Sequence, residues 1–321
     1  MTAPIASPGR SSGLGLLQVC GAGVLWGTGG LVLTVLHRRD DLGALPVSAW
    51  RMGVAALALV AFALLTRRRS ALGETLRAHP VLATLVGVGT ALYQALYFLS
   101  VLLVGVSVST VVSLGLAPIL ASAWEHASAR TRPEAREIGV LAAALSGLVL
   151  ISATASEGSS ASGDRPVLGI VLAVGSGATY AATTLLGHTV AQRVDPIALT
   201  TLATSAGAIV LLPFLAVAAA GQAPAGTSDP VSLALLAYLG VATMALAYAL
   251  LYAGLRSTSG SAATVATLVE PLSAAVLAAL LLGERMAWEG VLGGALILAA
   301  VVALRPDERA LTPAPSRGDP G

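Results

Sequence analysis

The stretch Gly260–Leu282, GSAATVATLVEPLSAAVLAALLL, is mostly apolar and carries one charged residue, Glu270. A transmembrane helix takes about 20 residues, so this stretch is long enough to cross a bilayer. An ionised carboxylate near the bilayer centre costs at least about 2.5 kcal/mol, and such acids therefore usually face a polar interior and serve a function. We interpret Glu270 as a functional residue; the alternative is a buried, hydrogen-bonded packing residue.

Pro271 follows this acid and has no amide hydrogen to donate. In a regular α-helix the amide at that position would bond the carbonyl oxygen of Thr267, four residues earlier. The sequence therefore predicts a kink beside Glu270 and a free carbonyl at Thr267, which loses its usual helical donor.

The composition of the whole chain is typical of an integral membrane protein. Of its 321 residues, 56% are hydrophobic and 11% are charged, and the mean hydropathy is +0.85. A soluble domain carries about 25% charged residues. We predict an all-α integral membrane protein with ten transmembrane helices, because ten apolar runs approach the spanning length: 14–36, 46–65, 80–103, 106–124, 137–153, 167–187, 196–219, 231–253, 260–282 and 289–304.

All eighteen basic residues are arginines, and their distribution predicts the orientation of the chain. Thirteen lie at the two ends or in the loops on their side, four lie on the opposite side, and Arg51 lies within a span. Basic residues in short loops favour the cytoplasm, so both termini are predicted to be cytoplasmic in a multi-pass protein of the cell membrane. The thirteen are Arg10, Arg67, Arg68, Arg69, Arg77, Arg130, Arg132, Arg136, Arg193, Arg256, Arg305, Arg309 and Arg317, and the four are Arg38, Arg39, Arg165 and Arg285.

The spans divide into two sets of five around a linker, residues 153–165, that is rich in Ser, Ala and Gly. Shifting the chain by 153 residues aligns the third and fourth spans with the eighth and ninth without a gap. An odd number of spans per repeat gives the two copies opposite orientations, as in many secondary transporters. We predict inverted five-helix repeats at 14–153 and 166–304, followed by a disordered cytoplasmic tail at 305–321. The less common matched pairs are Thr90 with Thr243 and Pro118 with Pro271.

The eighth and ninth spans carry a resemblance to a known family. LGVATMALAYALLYAGLR at 239–256, followed by TVATLVEPLSAAVLAALLLGER at 264–285, resembles the corresponding signature of the EamA-type family of the drug/metabolite transporter superfamily. Trp26 and Gly27 in the first span and Arg51 in the second resemble the usual marks of its first repeat. The resemblance implies a secondary transporter of small metabolites.

The fourth span ends differently from that family's pattern. Where members often close with a sequence like Gly-Glu-Arg, this chain reads Trp124-Glu125-His126, followed by an arginine-rich loop.

Polar residues within the spans should turn from lipid toward a cavity or toward another helix. The third span carries a polar face at helical spacing, and the sixth carries hydroxyls around Tyr180. The alternative for any one hydroxyl is that it satisfies backbone groups where two helices approach closely. The residues that we predict to bind substrate are Trp26, Arg51, Tyr93, Gln94, Tyr97, Tyr180, Thr267 and Glu270.

Arg51 is the other residue within a span whose charge is costly to place in the bilayer, and its side chain has two possible placements. Five residues after Pro46, its long side chain can snorkel to the nearer membrane interface. Facing inward, it can attract an anionic group of a substrate or act as partner to a carboxylate such as that of Glu270.

These features predict a secondary transporter of small polar or amphipathic metabolites, acting in efflux by alternating access and proton-coupled through Glu270. The alternatives are a membrane-embedded enzyme and a channel-like subunit. We expect no enzyme activity, because the predicted spans contain no acid cluster and no His-Glu-x-x-His or Gly-x-Ser-x-Gly pattern. We expect no nucleotide-binding loop, because the chain has no lysine. The expected partners are a small-molecule substrate and the lipid bilayer, with no metal, cofactor or nucleic acid; a homodimer is compatible with the sequence.

Overall fold

The computed structural model describes residues 13–66, 68–154, 165–221, 224–282 and 287–304. Within these ranges every regular element is helical, and eight helices are long and apolar enough to cross a membrane. The chain is therefore an all-α, multi-pass membrane protein. The elements are α1 (Gly13–Asp40), α2 (Ala44–Leu65), α3 (Arg69–Ala78), α4 (Pro80–Ala129), α5 (Ala135–Thr154), α6 (Pro166–Ala191), α7 (Pro196–Ala220), α8 (Pro230–Tyr238), a π-helical segment (Leu239–Leu246), α9 (Ala247–Gly254), α10 (Gly260–Ala266), α11 (Val269–Leu282) and α12 (Trp288–Ala303).

The 50-residue helix α4 is a hairpin of two arms that meet at Gly105. Its backbone there has φ 82° and ψ 166°, a conformation that is open almost only to glycine. Hydroxyl pairs join the arms across the turn: Tyr97 with Thr110, and Ser100 with Ser109, each at 2.8 Å. Residues 97 and 110 would be about 20 Å apart along a straight helix, so the chain folds back on itself at the glycine.

Glycines bring α1 against α11 at the level of the predicted acid. A Cβ atom at Gly27 would lie 2.7 Å from the carbonyl oxygen of Glu270, and one at Gly23 would lie 3.3 Å from that of Thr267. Gly23 and Gly27 thus form a helix-packing contact of the kind that small residues four apart make between membrane helices. This close approach positions the backbone of α11 beside α1.

The ninth apolar run is broken, as Pro271 predicted, but the prediction of a free Thr267 carbonyl was wrong. α10 ends at Ala266 and α11 begins at Val269. The Thr267 carbonyl oxygen accepts the backbone N–H of Glu270 at 2.9 Å. Tightening of the turn to an i+3 hydrogen bond has replaced the donor that the proline removed.

The helix α3 was not among the predicted elements, because its ten residues are too few to cross a bilayer and it lay in a predicted loop. The linker at 155–164, the Gly-Glu-Arg close at 283–285 and the tail at 305–321 lie outside the described residues.

Candidate functional site

A cavity of about 980 Å³ lies among the helices, within the usual size range of ligand pockets. Its walls come from α1, α2, both arms of α4, α5, α6, the π-helical segment, α9, α11 and the start of α12. Seven of the eight predicted substrate-binding residues line it: Trp26, Arg51, Tyr93, Gln94, Tyr97, Tyr180 and Glu270. The eighth, Thr267, is buried behind the wall and accepts a hydrogen bond from the Tyr180 hydroxyl at 3.0 Å.

Among the described residues, the lining of the cavity reaches the molecular surface at one face. Its lining includes exposed residues at the end of α1 (Thr34), at the end of α5 (Ala153) and just before α12 (Ala287). On α1 the lining extends from Trp26 to Thr34 and includes none of the earlier residues of the helix. We call the face reached by the cavity the open face; it is the side that the arginine distribution predicts to be external.

The opposite face is held together between the second arm of α4 and α10. The carboxylate of Glu125 accepts the backbone N–H of Ser261 at 3.2 Å and also accepts the Ser261 hydroxyl. Nearby, the Gln192 amide donates to the carbonyl oxygen of Leu255 at 2.8 Å, joining the end of α6 to the end of α9. Glu125 belongs to the sequence that departs from the family's usual close, and here it binds the start of the helix that leads to Glu270.

Arg51 faces the cavity and does not snorkel to the interface. Its Nη2 donates to the Thr243 hydroxyl at 3.1 Å and contacts the Met244 sulfur at 3.6 Å. Its Nε is buried without a hydrogen-bond partner among the described residues. Gly240 lets α2 approach the π-helical segment closely, since a Cβ there would lie 2.4 Å from the Val54 side chain on the next turn of α2. Arg51 thus has hydrogen-bonding capacity that its surroundings leave unused.

The π-helical segment 239–246 supplies the anchor for Arg51. The amide of Ala247 donates to the carbonyls of Ala242 and Met244, and so passes over that of Thr243. The Thr243 carbonyl instead accepts the indole N–H of Trp26 at 2.9 Å. π-helical turns are found frequently at functional sites. Thr243 therefore holds two predicted site residues, one through its backbone and one through its side chain.

Glu270 lines the cavity from the first turn of α11. Its backbone amide is bonded, whereas its carboxylate oxygens receive no hydrogen bond from any described residue. Arg51 is close enough to Glu270 to interact with it electrostatically. The two residues form no ion pair, which would need a guanidinium nitrogen within 4.0 Å of a carboxyl oxygen. A carboxyl group and a guanidinium group thus line the same cavity without forming a direct ion pair.

Aromatic side chains join the two charged residues into one site. Trp26 packs against Tyr248 with tilted rings whose centroids are 5.1 Å apart, and the hydroxyls of Tyr248 and Tyr93 form a hydrogen bond of 2.9 Å. Tyr93 in turn packs against Tyr180 at 5.1 Å. Buried tyrosines combine an apolar ring with a hydroxyl that needs a partner, which suits a wall that contacts an amphipathic molecule.

The sequence-based prediction missed Thr243 and Tyr248. Thr243 was noticed only as the repeat partner of Thr90, and Tyr248 lay in an apolar segment where an aromatic residue is more often part of the core. In contrast, four hydroxyls of α7 donate to carbonyls of their own helix: Thr200, Thr201, Thr204 and Ser205. Gln94 lines the cavity, although its amide donates to the Thr90 carbonyl at 3.2 Å.

Comparison with known proteins identifies the family. The model of the EamA-like transporter family matches this chain twice, over residues 13–153 and 167–305. The chain belongs to the EamA-like transporter family. The resemblance found in the eighth and ninth spans is thereby confirmed over most of the chain, and membrane transport is its general function.

Curated relatives of this family member carry transporter names. The uncharacterized transporter YwfM of Bacillus subtilis (strain 168) is 31% identical over 224 residues, 70% of this chain and 72% of the relative. The uncharacterized inner membrane transporter YicL of Salmonella typhimurium (strain LT2) is 28% identical over 310 residues, 92% of this chain and 96% of the relative. A crystal structure of another protein, 17% identical, covers 91% of this chain and 96% of its own with a TM-score of 0.75, and so shares the fold.

Proposed function

We propose that this member of the EamA-like family is a secondary transporter that moves a small polar or amphipathic metabolite out of the cell by alternating access. The observation that carries the proposal is the cavity, which reaches one face, stops before the other and contains Arg51 and Glu270 without a direct ion pair. A carrier needs such a site, open to one side at a time.

We further propose that the chain forms ten spans in two inverted repeats, 14–153 and 166–304. Three findings support this arrangement: the family model matches two separate segments, α4 folds back at Gly105, and the apolar helix α12 follows the eight long ones. Inverted repeats give each half a counterpart on the opposite side of the membrane. Exchange of the two conformations then closes the open face and opens the other.

The chemistry of the cavity supports the proposed substrate class. Arg51 offers a guanidinium to an anionic group, the Glu270 carboxylate offers an acceptor to a donor or a cationic group, and the rings between them offer apolar contact. Opposite charges in a low-dielectric site act more strongly than in water. A small metabolite with polar groups on an apolar body meets all three surfaces.

We propose that Glu270 also couples transport to protons. An acid inside the bilayer that faces a cavity can bind a proton from one side and release it to the other, as in many pumps and transporters. Support comes from its place on α11 just after the break at Thr267, where a change of charge can be transmitted to both segments. The outward direction rests on the family resemblance.

We place this transporter in the cell membrane with both termini in the cytoplasm. The arginine distribution supports this placement, and the name of the Salmonella relative refers to an inner membrane. A disordered tail at 305–321 and a homodimer are compatible with it.

Flux measurements in liposomes distinguish a carrier from the channel-like alternative. Purified protein is tested with a panel of amino acids and related metabolites chosen from an untargeted comparison of compounds exported with and without the protein. We expect saturable, gradient-driven flux of at least one compound. Flux that rises without saturation indicates a channel, and conversion of a compound without its movement indicates an enzyme.

A further inference from the structure

The short helix α3 connects two spanning helices, α2 and α4. Both of its ends lie on the same side of the membrane, so it does not cross the bilayer. Its ten residues extend about 15 Å, half the thickness of the hydrocarbon core. The helix therefore remains at the membrane surface, and the arginine distribution puts that surface on the cytoplasmic side.

One side of α3 is occupied by the protein. Thr75 is 2% exposed, and the helix packs there against α7 and α4. Leu76, which is 52% exposed, lies about 100° from Thr75 around the helix, and Arg69 and Arg77 are also exposed. At 100° per residue, Arg69 lies within about 20° of Leu76 around the helix, and Arg77 lies about 100° away. We call these three residues the α3 face.

The charges of this face have no partners among the described residues. Arg68, just before the helix, is paired with Asp195 at 2.8 Å, whereas Arg69 and Arg77 make neither an ion pair nor a hydrogen bond there. The acid of the helix, Glu74, is exposed about 160° away from Leu76. The α3 face thus combines an exposed leucine with two guanidinium groups that pair with no side chain in the described part of the chain.

We propose that the α3 face binds the headgroups of anionic lipids. The two guanidinium groups contact lipid phosphates, and Leu76 enters the boundary between headgroups and acyl chains. Amphipathic helices with basic residues beside an apolar strip bind membranes in this manner, and guanidinium groups match phosphate geometry. Soluble phosphate is a poorer occupant because the face is convex and open, and offers nothing to enclose a small ion. This inference does not depend on the transported substrate.

Native mass spectrometry of the full-length protein tests this binding. Phosphatidylglycerol and phosphatidylcholine with identical acyl chains are added in turn, and retained lipid molecules are counted. We expect the unaltered protein to favour phosphatidylglycerol. The variant Arg69→Gln/Arg77→Gln should bind it more weakly, by roughly fivefold per arginine and about 25-fold for the pair. Arg69→Lys/Arg77→Lys, which keeps the charge, should retain most of the preference and shows that a loss is not due to misfolding.

The matched control is Arg132→Gln/Arg256→Gln, which removes two exposed arginines from loops on the same predicted side. It should change phosphatidylglycerol binding by less than twofold. Equal losses in the control and the α3 variant would overturn the proposal, because they would indicate attraction by overall charge. Unchanged binding after Leu76→Gln, or displacement of the lipid by inorganic phosphate at matched ionic strength, would also overturn it.

Discussion

Thr243 shows how much a single uncharged residue contributes to the site. It is fully buried, and it meets the two neighbouring helices with different atoms: its carbonyl oxygen holds the Trp26 indole and its hydroxyl holds the Arg51 guanidinium. The same hydroxyl donates to the Leu239 carbonyl at 2.6 Å, so its oxygen lone pairs are directed at Arg51. An arginine with several free torsions is thereby kept in one orientation.

The variant Thr243→Val keeps the shape of this side chain and removes the acceptor for Arg51. A hydrogen bond to a charged group contributes about 1.5–3 kcal/mol, so we expect an affinity loss of roughly tenfold or more for a transported compound with an anionic group. The half-saturation concentration in liposome flux measures it. Thr243→Ser should restore most of the affinity, and equal defects in the valine and serine variants would contradict an anchoring role.

Glu270→Gln tests the proposed proton coupling at the residue scale. The amide has the size of the carboxyl group but cannot exchange a proton, so the response of flux to a pH gradient should be lost. Exchange of substrate without a pH gradient should remain measurable, and size-exclusion profiles should show a folded protein. Full proton-driven flux in this variant would assign Glu270 to packing.

At the scale of elements, interruptions of the regular helices position the residues of the site. The turn at Gly105 places Tyr97 beside Thr110, the π-helical segment directs Thr243 toward Arg51, and the break after Ala266 leads into the turn that presents Glu270. A regular helix bonds each amide within itself, so an irregular one frees backbone groups for other contacts.

Gly105→Ala should destabilise the α4 hairpin. A side chain in this backbone conformation costs of order 1–3 kcal/mol, which a lowered thermal transition in detergent would report. Gly53→Ala on α2 is the matched control, because its added Cβ meets no atom within 4 Å and alanine favours a helix over glycine by about 1 kcal/mol. The control should therefore be neutral or stabilising, and equal transitions for the two variants would contradict the strain at Gly105.

The sequence could predict the spanning helices because long apolar runs and rare charges are direct signals of membrane depth. It could also predict Arg51 and Glu270 as lining residues, because a charged side chain within a span is costly to expose to lipid. It could not predict α3, whose apolar strip is shorter than any spanning run, or the π-helical register, which depends on contacts with α1 and α2. The role of Thr243 could not be predicted either, because it depends on the π-helical register, which leaves the Thr243 carbonyl available to Trp26.

At the scale of the whole molecule, the thirteen-to-four distribution of arginines predicts the orientation of every element. A reporter that is active only outside the cytoplasm should work when fused after Ser160 and fail when fused after Arg309. A cytoplasmic reporter at the same two positions should give the opposite pattern and serves as the control. Activity of the external reporter after Arg309 would show that the orientation is opposite to the predicted one. The cavity would then open to the cytoplasm.

Because the cavity reaches one face of the described structure, inhibitors should act from one side of the membrane and not from the other. A compound that contacts both Arg51 and Glu270, but is too bulky to be enclosed, would enter from the open face and hold that face apart. It would act as an inhibitor when added on that side, and an impermeant version would have no effect from the other as long as Glu125 and Ser261 remain joined.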